Sequence, residues 1–313
     1  MSLVPSSHRG IVHRFYGKGV AFEHLLTLET PSSRNTLIWI GGLGDGLLTV
    51  TYPTKLAEKL PPNWCIVQAL LSSSYSGWGT SSLKRDAKEL ARCVDYFLKQ
   101  RPGGKVVLMG HSTGSQDVME YLVGEGSQSR PPISGAIFQA GISDREALVQ
   151  HMPAELYQSS CSLAQEWVRD GRGDEILPKS ATNNILGAPV TAYRWLSLAA
   201  KGGDDDYFSS DLDDQQLKKT LGALKPETPV MFLLSGCDEH MPDFVDKDAL
   251  IAKWSNIIKE AGGAVDEEHG GVIEEAFHNL EGDPDEVVQD LIRRVNGFLM
   301  TIDSGDRKDS SNL

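Results

Sequence analysis

Apolar positions in this chain follow two rhythms, and the two alternate. Runs with period two, or without interruption, read as strands: GIVHRFY (10–16), VAFEHLLTL (20–28), NTLIWI (35–40), WCIVQAL (64–70), KVVLMG (105–110), ISGAIFQA (133–140) and PVMFLLSG (229–236). The first two, parted by Gly17 to Gly19, predict an antiparallel hairpin. Stretches of helical period lie between the others. SSLKRDAKELARCVDYFLKQ (81–100) sets Leu83, Ala87, Leu90, Ala91, Val94 and Phe97 or Leu98 on one face, and further helices are predicted around 246–261 and 285–301. Such alternation implies an α/β fold: a mainly parallel sheet flanked by helices, with right-handed crossovers.

The rhythm breaks between Asp144 and Lys225. REALVQHM, SLAQEWVRD and TAYRWLSLAA have helical character, GGDDDYFSSDLDD is an acidic loop, and no segment there reads as a strand. The economical expectation is a helical lid, 144–225, inserted into a core formed by 1–143 and 226–303. The last stretch, 304–313, is polar enough to predict a disordered tail.

Composition narrows the function. With 313 residues, 40% of them hydrophobic, the chain is long enough for one full core. A formal net charge of −13 makes a grip on phosphate backbones unfavourable, so nucleic acid is not an expected partner. No stretch approaches the roughly 20 apolar residues of a membrane span, and MSLVPSSHRG has no apolar signal core. The expectation is a soluble cytoplasmic protein without a membrane partner. Ser311-Asn312-Leu313 approaches the peroxisomal Ser-Lys-Leu tripeptide but lacks its basic residue. Cys65, Cys93, Cys161 and Cys237 lie far apart with no C-x-x-C pair, which predicts reduced buried thiols rather than disulfides or a zinc site.

The chemistry begins where the strand pattern of VVLMG meets the helical pattern of SQDVMEYL. Gly110-His111-Ser112-Thr113-Gly114 stands at that junction and has the G-x-S-x-G form of a nucleophile elbow. The pentapeptide alone is weak; its place between strand and helix makes it specific. A serine nucleophile needs a histidine base, and the base needs a carboxylate to hold its tautomer. On this architecture they follow in the order Ser, Asp or Glu, His, each beyond the C-terminal end of a strand. PVMFLLSGCDEHMP supplies Asp238, and GGVIEEAFHNLEGD supplies His278 after a short last strand. Asp144, after GAIFQAG, is the alternative acid. His240 is too near Asp238 for both to aim at one serine, His269 precedes the last strand at its other end, His111 reads as a packing residue, and Ser115 points away from the elbow tip.

The tetrahedral oxyanion needs donors. The backbone N–H of Thr113 is one candidate; Leu43 of the turn IGGLGDGLLT is the other, with Gly42 or Gly44 next, and glycines there let the backbone approach a substrate. A phosphate-loop reading of that turn fails, because no G-K-[ST] follows and Asp45 would repel phosphate. Tyr75 and Trp78, in SSSYSGWGTSS, either line the substrate pocket or hold their own loop. Tyr193, Trp195, Tyr207 and Phe208 are undecided in the same way. Asp204, Asp205 and Asp206 either draw a cationic substrate or form a solvated face.

Ser112, Asp238 and His278, in that order on this pattern, resemble the α/β-hydrolase superfamily. GGLGDGLLTVTYPTKLA, SSSYSGWGTSSLKRDAKEL and MGHSTGSQDVMEYL together resemble the fungal siderophore esterases of the SidJ type, over about His8 to Met300. One departure from many hydrolases is Gly41-Gly42 where a His-Gly pair often precedes the oxyanion donor. The resemblance implies hydrolysis of the ester bonds of fusarinine-type hydroxamate siderophores, releasing iron inside the cell, with Ser112 as nucleophile, Asp238 as acid and His278 as base. It implies no metal or organic cofactor; iron arrives as part of the substrate. Such siderophores carry free amines, so an acidic protein suits a cationic ferric siderophore as its small-molecule partner. The rivals are a serine hydrolase acting on another small ester, lactone or thioester, and a ligand-binding homologue without catalysis.

Overall fold

The computed structural model describes residues 6–25 and 35–309, with side chains through 304. Its sheet contains β1 (Gly10–Tyr16), β2 (Gly19–His24), β3 (Asn35–Ile40), β4 (Trp64–Leu70), β5 (Val106–His111), β6 (Gly135–Gln139), β7 (Val230–Ser235) and β8 (Gly271–Ile273). They lie in the order β1-β2-β4-β3-β5-β6-β7-β8. The pairs β1/β2 and β2/β4 are antiparallel, and every other neighbouring pair is parallel. This is the α/β-hydrolase arrangement.

Helices cover both faces, which is why the central strands are apolar without interruption. In β3, Ile38 and Ile40 pack with α2 (Leu83–Gln100) and α3 (Thr113–Val123), whereas Leu37 and Trp39 pack with α1 (Tyr52–Ala57) and the last helix, Asp285–Asp309. β7 divides in the same way: Phe232 and Leu234 face one layer, Met231 and Leu233 the other. A continuous apolar run is therefore two period-two faces superposed.

Between β6 and β7 run α4 (Asp144–His151), α5 (Ala154–Arg169), α6 (Ala192–Ala199) and α7 (Asp214–Thr220), which add no strand to the sheet. The segment is not uniform. Leu148, Ala164, Leu177, Val190, Trp195 and Leu198 form a separate apolar cluster, joined by Trp78 from outside. Tyr207, Phe208, Leu212, Leu217 and Leu221 instead join the core layer that contains Trp254 of α8 (Lys247–Glu260). The later part of the expected lid thus packs as core.

Three details differ from the sequence pattern. β2 ends at His24, and positions 26–28 of the expected strand lie outside the described residues. The last helix, α9 (Asp285–Asp309), continues six residues into the expected tail; Leu291, Val295, Phe298 and Ile302 dock it on the sheet, and propagating a docked helix costs little. The remaining tail positions, Ser311-Asn312-Leu313 included, lie outside the described residues. Of the cysteines, Cys65 and Cys93 are buried, Cys161 is half-buried and Cys237, expected inside, is exposed. Among the described residues no helix is long and apolar enough to cross a membrane.

Candidate active site

Ser112 sits between β5 and α3 with φ 52 and ψ −128, a conformation L residues rarely adopt. Its N–H donates to the Gln139 carbonyl on β6 (3.0 Å), which ties the bend to the neighbouring strand. Neither flanking glycine tolerates a side chain. A Cβ on Gly110 would lie 2.3 Å from the Gly114 carbonyl oxygen, and one on Gly114 would lie 2.4 Å from that of Ile40.

The bend directs Ser112 Oγ to His278 Nε2 at 2.8 Å, and His278 Nδ1 donates to Asp238 Oδ2, also at 2.8 Å. Asp238 follows β7, and its other oxygen accepts the His240 N–H at 3.0 Å. His278 lies on the loop after β8, where its N–H donates to Glu239 Oε2 (2.9 Å) and its carbonyl accepts from Gln139 Nε2 (3.3 Å). Gln139 Oε1 in turn accepts from Tyr52 Oη (3.0 Å) and pairs with His111 Nδ1 (2.6 Å). The histidine is therefore held by its backbone as well as by its ring.

Electrostatics match this geometry. Burial disfavours the charged ring of His278, but the hydrogen bond and charge of Asp238, then Glu239 and Asp144, outweigh it and raise its pKa above the ordinary value. For Asp238 burial acts upward, yet the His278 hydrogen bond and charge and the His240 N–H leave its pKa lowered. His111 behaves oppositely. Burial, and then the neighbouring His278, push its pKa down to about 4, which leaves it neutral beside the pair.

The turn after β3 presses against the serine. A Cβ on Gly42 would lie 2.6 Å from Ser112 Cβ. The Gly42 N–H, an alternative donor by position, is occupied by Asp45 Oδ2 at 2.8 Å, because that carboxylate folds back to close the turn. Gly44 adopts φ 86 beneath Leu186. Leu43 lines the cavity that contains Ser112. Thr113 opens α3, so its N–H has no acceptor within the helix.

That cavity measures about 370 Å³, a size suited to a small organic ligand or one part of a larger one. Ala147, Leu148, Ile185, Leu186 and Leu198 give it an apolar wall from the inserted segment. His240 lies edge-on to His278, ring centroids 4.8 Å apart, and its Nδ1 is 3.1 Å from Nε2 of His151 on α4.

Several sequence candidates stand elsewhere. Tyr75 and Trp78 do not line this cavity. Tyr75 is half exposed, its hydroxyl accepting the Leu47 N–H at 2.9 Å, and so holds its own loop. Trp78 is buried in the cluster of the inserted segment and borders a small adjoining cavity of about 20 Å³, which Gly42, Leu43 and Thr113 also line, with Asp86, Asp117 and Arg194. The inserted aromatics are structural. Trp195 donates to Ser160 Oγ (3.0 Å), Tyr207 to Glu120 (3.0 Å) and Tyr193 to Asp204, while Phe208 packs on Phe138 and Trp254. The acidic run does not line the site, and only Asp204 of it is exposed to solvent. Asp205 is buried on Arg194, and Asp206 accepts the Gly202 N–H at 2.8 Å. His269 is held by Asp266 at 2.9 Å, Ser115 Oγ donates to the Gly110 carbonyl (3.1 Å), and Asp144 accepts from Thr113 and Gln116 rather than His278.

Sequence reading missed Gln139, Glu239 and the wall residues His151, Ile185, Leu186 and Leu198. Glu239 was findable from its place beside Asp238. The wall residues have no local signature, because their convergence depends on how the insertion folds back. Among the described residues no three His, Cys, Asp or Glu side chains are grouped to hold a metal ion.

Residues 1–300 match the family described as "Protein of unknown function (DUF1749)". The chain is 36% identical to "Fusarinine C esterase sidJ" of Aspergillus fumigatus, over 94% of this chain and 96% of that protein. It is 35% identical to "Esterase AN6793" of Emericella nidulans, over 95% and 94%. Among solved structures, "Siderophore hydrolase EstB from Aspergillus fumigatus" superposes with a TM-score of 0.80 at 35% identity, covering 95% of this chain and 98% of that one.

Proposed function

The chain belongs to the DUF1749 family, and from that premise we propose that it is a serine carboxylic-ester hydrolase cutting the ester bonds of fusarinine-type hydroxamate siderophores. One observation carries the chemistry: a serine hydroxyl on a strained bend is 2.8 Å from an imidazole whose other nitrogen is 2.8 Å from a buried carboxylate. Its relatives' names, a fusarinine C esterase and a siderophore hydrolase, support the substrate class.

Ser112 Oγ attacks the ester carbonyl carbon as its proton passes to His278 Nε2. Asp238 favours the resulting imidazolium, and the N–H groups of Thr113 and Leu43 hold the oxyanion. Collapse expels the alcohol, which takes the proton from His278, and leaves an acyl-serine. Water then adds to the acyl carbon while His278 accepts its proton. The acid departs, and the proton returns to Ser112. No step requires a cofactor, and iron enters only as substrate cargo.

The segment from Asp144 to about residue 200 acts as a fixed cap over the cavity. The net charge of −13 favours approach of an amine-bearing ferric siderophore, and the cytoplasm is the compartment that suits the reaction's product.

Mass spectrometry of fusarinine C incubated with wild-type and Ser112→Ala protein, beside p-nitrophenyl butyrate, tests the reading. Wild type is expected to release hydroxamate monomers and the variant none. Turnover by Ser112→Ala above about one hundredth of the wild-type rate would remove the mechanism. A higher kcat/KM on p-nitrophenyl butyrate than on fusarinine C would remove the substrate assignment.

A further inference from the structure

The inserted segment opens with a carboxylate that the triad does not use. Asp144, the first residue of α4, borders the cavity beside Ser112. It does not cap its own helix, since Ser143 does so by accepting the Glu146 N–H at 3.0 Å. Both its oxygens instead reach across to the nucleophile's helix: Oδ1 accepts from Thr113 Oγ1 at 3.1 Å and Oδ2 from Gln116 Nε2 at 2.8 Å. Gln116 Nε2 also donates to the Ile142 carbonyl at 2.9 Å, just before α4. Thr113 and Gln116 lie on the first turn of α3, whose leading N–H groups have no helical acceptor to fix them.

We propose that Asp144 is a positioning residue: by holding the side chains of Thr113 and Gln116, it sets the Thr113 N–H against the oxyanion. The inference rests on Ser112 as nucleophile and Thr113 as oxyanion donor. An oxyanion donor acts only if it is placed before charge develops, and a displacement of well under an ångström weakens it. The Asp144 carboxylate supplies that placement from the insertion. When ionised, it also favours the imidazolium at His278, together with Asp238 and Glu239, while His111 and His240, whose pKa values burial lowers, add no charge at neutral pH. Arg194, from α6, offsets the same charge, and Asp205 opposes it. Burial and Asp205 raise the Asp144 pKa to about 7.

Asp144→Ala, Asp144→Asn, Thr113→Val and the Asp144→Ala/Thr113→Val double variant, assayed with p-nitrophenyl butyrate and with diethyl p-nitrophenyl phosphate, test the proposal. Removing an oxyanion donor outright costs about 10²–10³ in kcat, so misplacing one is expected to cost about 10–100-fold in Asp144→Ala, with KM within about threefold. Phosphorylation of Ser112 slows by the same factor, because it passes through the same oxyanion site. Thr113→Val shows a comparable loss, and the double variant loses no more than the worse single one. Asp144→Asn keeps an acceptor for Thr113 and recovers most of kcat.

Wild-type kcat in Asp144→Ala, a loss confined to KM, or additive losses in the double variant would overturn the proposal. If Asp144→Ala does not fold, Thr113→Val alone decides: wild-type kcat there overturns it. Activity in Ser112→Ala above about one hundredth of wild type would instead bring down the triad reading, so the two failures are distinguishable.

Discussion

The two sides of the cavity are built by different means. On the core side, Ser112, Asp238 and His278 stand at the ends of parallel strands, with backbone hydrogen bonds fixing Ser112 to β6 and His278 to Glu239. On the inserted side the wall is apolar side chains, and behind it lies one buried guanidinium. Arg194 and its partner Asp205 are almost completely buried, and Asp86, Asp144 and Asp117 share the same field. Asp86 is pushed up to about 7, chiefly by burial, and Asp117 rises well above the ordinary carboxylate range for the same reason. The core side is therefore placed by main-chain geometry that tolerates little change, the insertion by packing and one charge cluster. The reacting groups belong to the first and most of the cavity wall to the second.

The largest expected effect tests whether chemistry resides wholly in the core. Ser112→Ala is expected to lower kcat by about 10⁴–10⁶, measured on a siderophore ester, with an unfolding midpoint unchanged or raised because the strained bend loses only a hydroxyl. A residual rate above about one hundredth of wild type would mean that another group shares the work.

Next comes the charge cluster. Arg194→Met strands a buried carboxylate partner and is expected to cost about 3–5 kcal/mol in denaturant unfolding. A cost below about 1 kcal/mol would show that protonated carboxylates hold the insertion without the guanidinium. Gly42→Ala probes the tightest contact between the oxyanion turn and the serine. Its added Cβ would stand 2.6 Å from Ser112 Cβ, and a shift of about 1 Å at a reacting centre can cost about 10²-fold in kcat. Unchanged kcat would show that the turn yields, and that the core side is softer than its backbone bonding implies.

The smallest effect concerns pH. The base must be neutral to accept the serine proton, and its pKa is raised above 6.5 in the folded protein. kcat/KM should therefore fall as pH drops through a value above 6.5, while Asp238, with its pKa lowered, stays ionised throughout. Glu239→Gln keeps an acceptor for the His278 N–H but removes a charge that favours imidazolium, so the limb should move to lower pH. A wild-type limb below 6.5, or one that moves upward in Glu239→Gln, would contradict this account.

Periodicity by itself determined the strands, the helix after the elbow and the interruption between β6 and β7, because period two and period 3.6 record which face of an element is buried. The elbow was equally legible: a serine at positive φ sits between two glycines, the one at 110 demanded locally by the Gly114 carbonyl and the one at 114 by the Ile40 carbonyl of β3, which packs against the elbow. Tertiary structure alone decided the rest. Tyr75 and Trp78 sit in a loop beyond β4, as a pocket pair would, yet the loop turns them away from Ser112. Asp204 to Asp206 form a charge run in the sequence, but in the fold they are spent on Tyr193, Arg194 and Gly202. Asp144 shares its position beyond a strand end with an acid for the triad, and only the packing of α4 on α3 gives its oxygens to Thr113 and Gln116 instead. Local pattern reports burial and backbone strain, which neighbours in sequence create; the partner of a polar side chain is chosen by whichever distant segment folds against it.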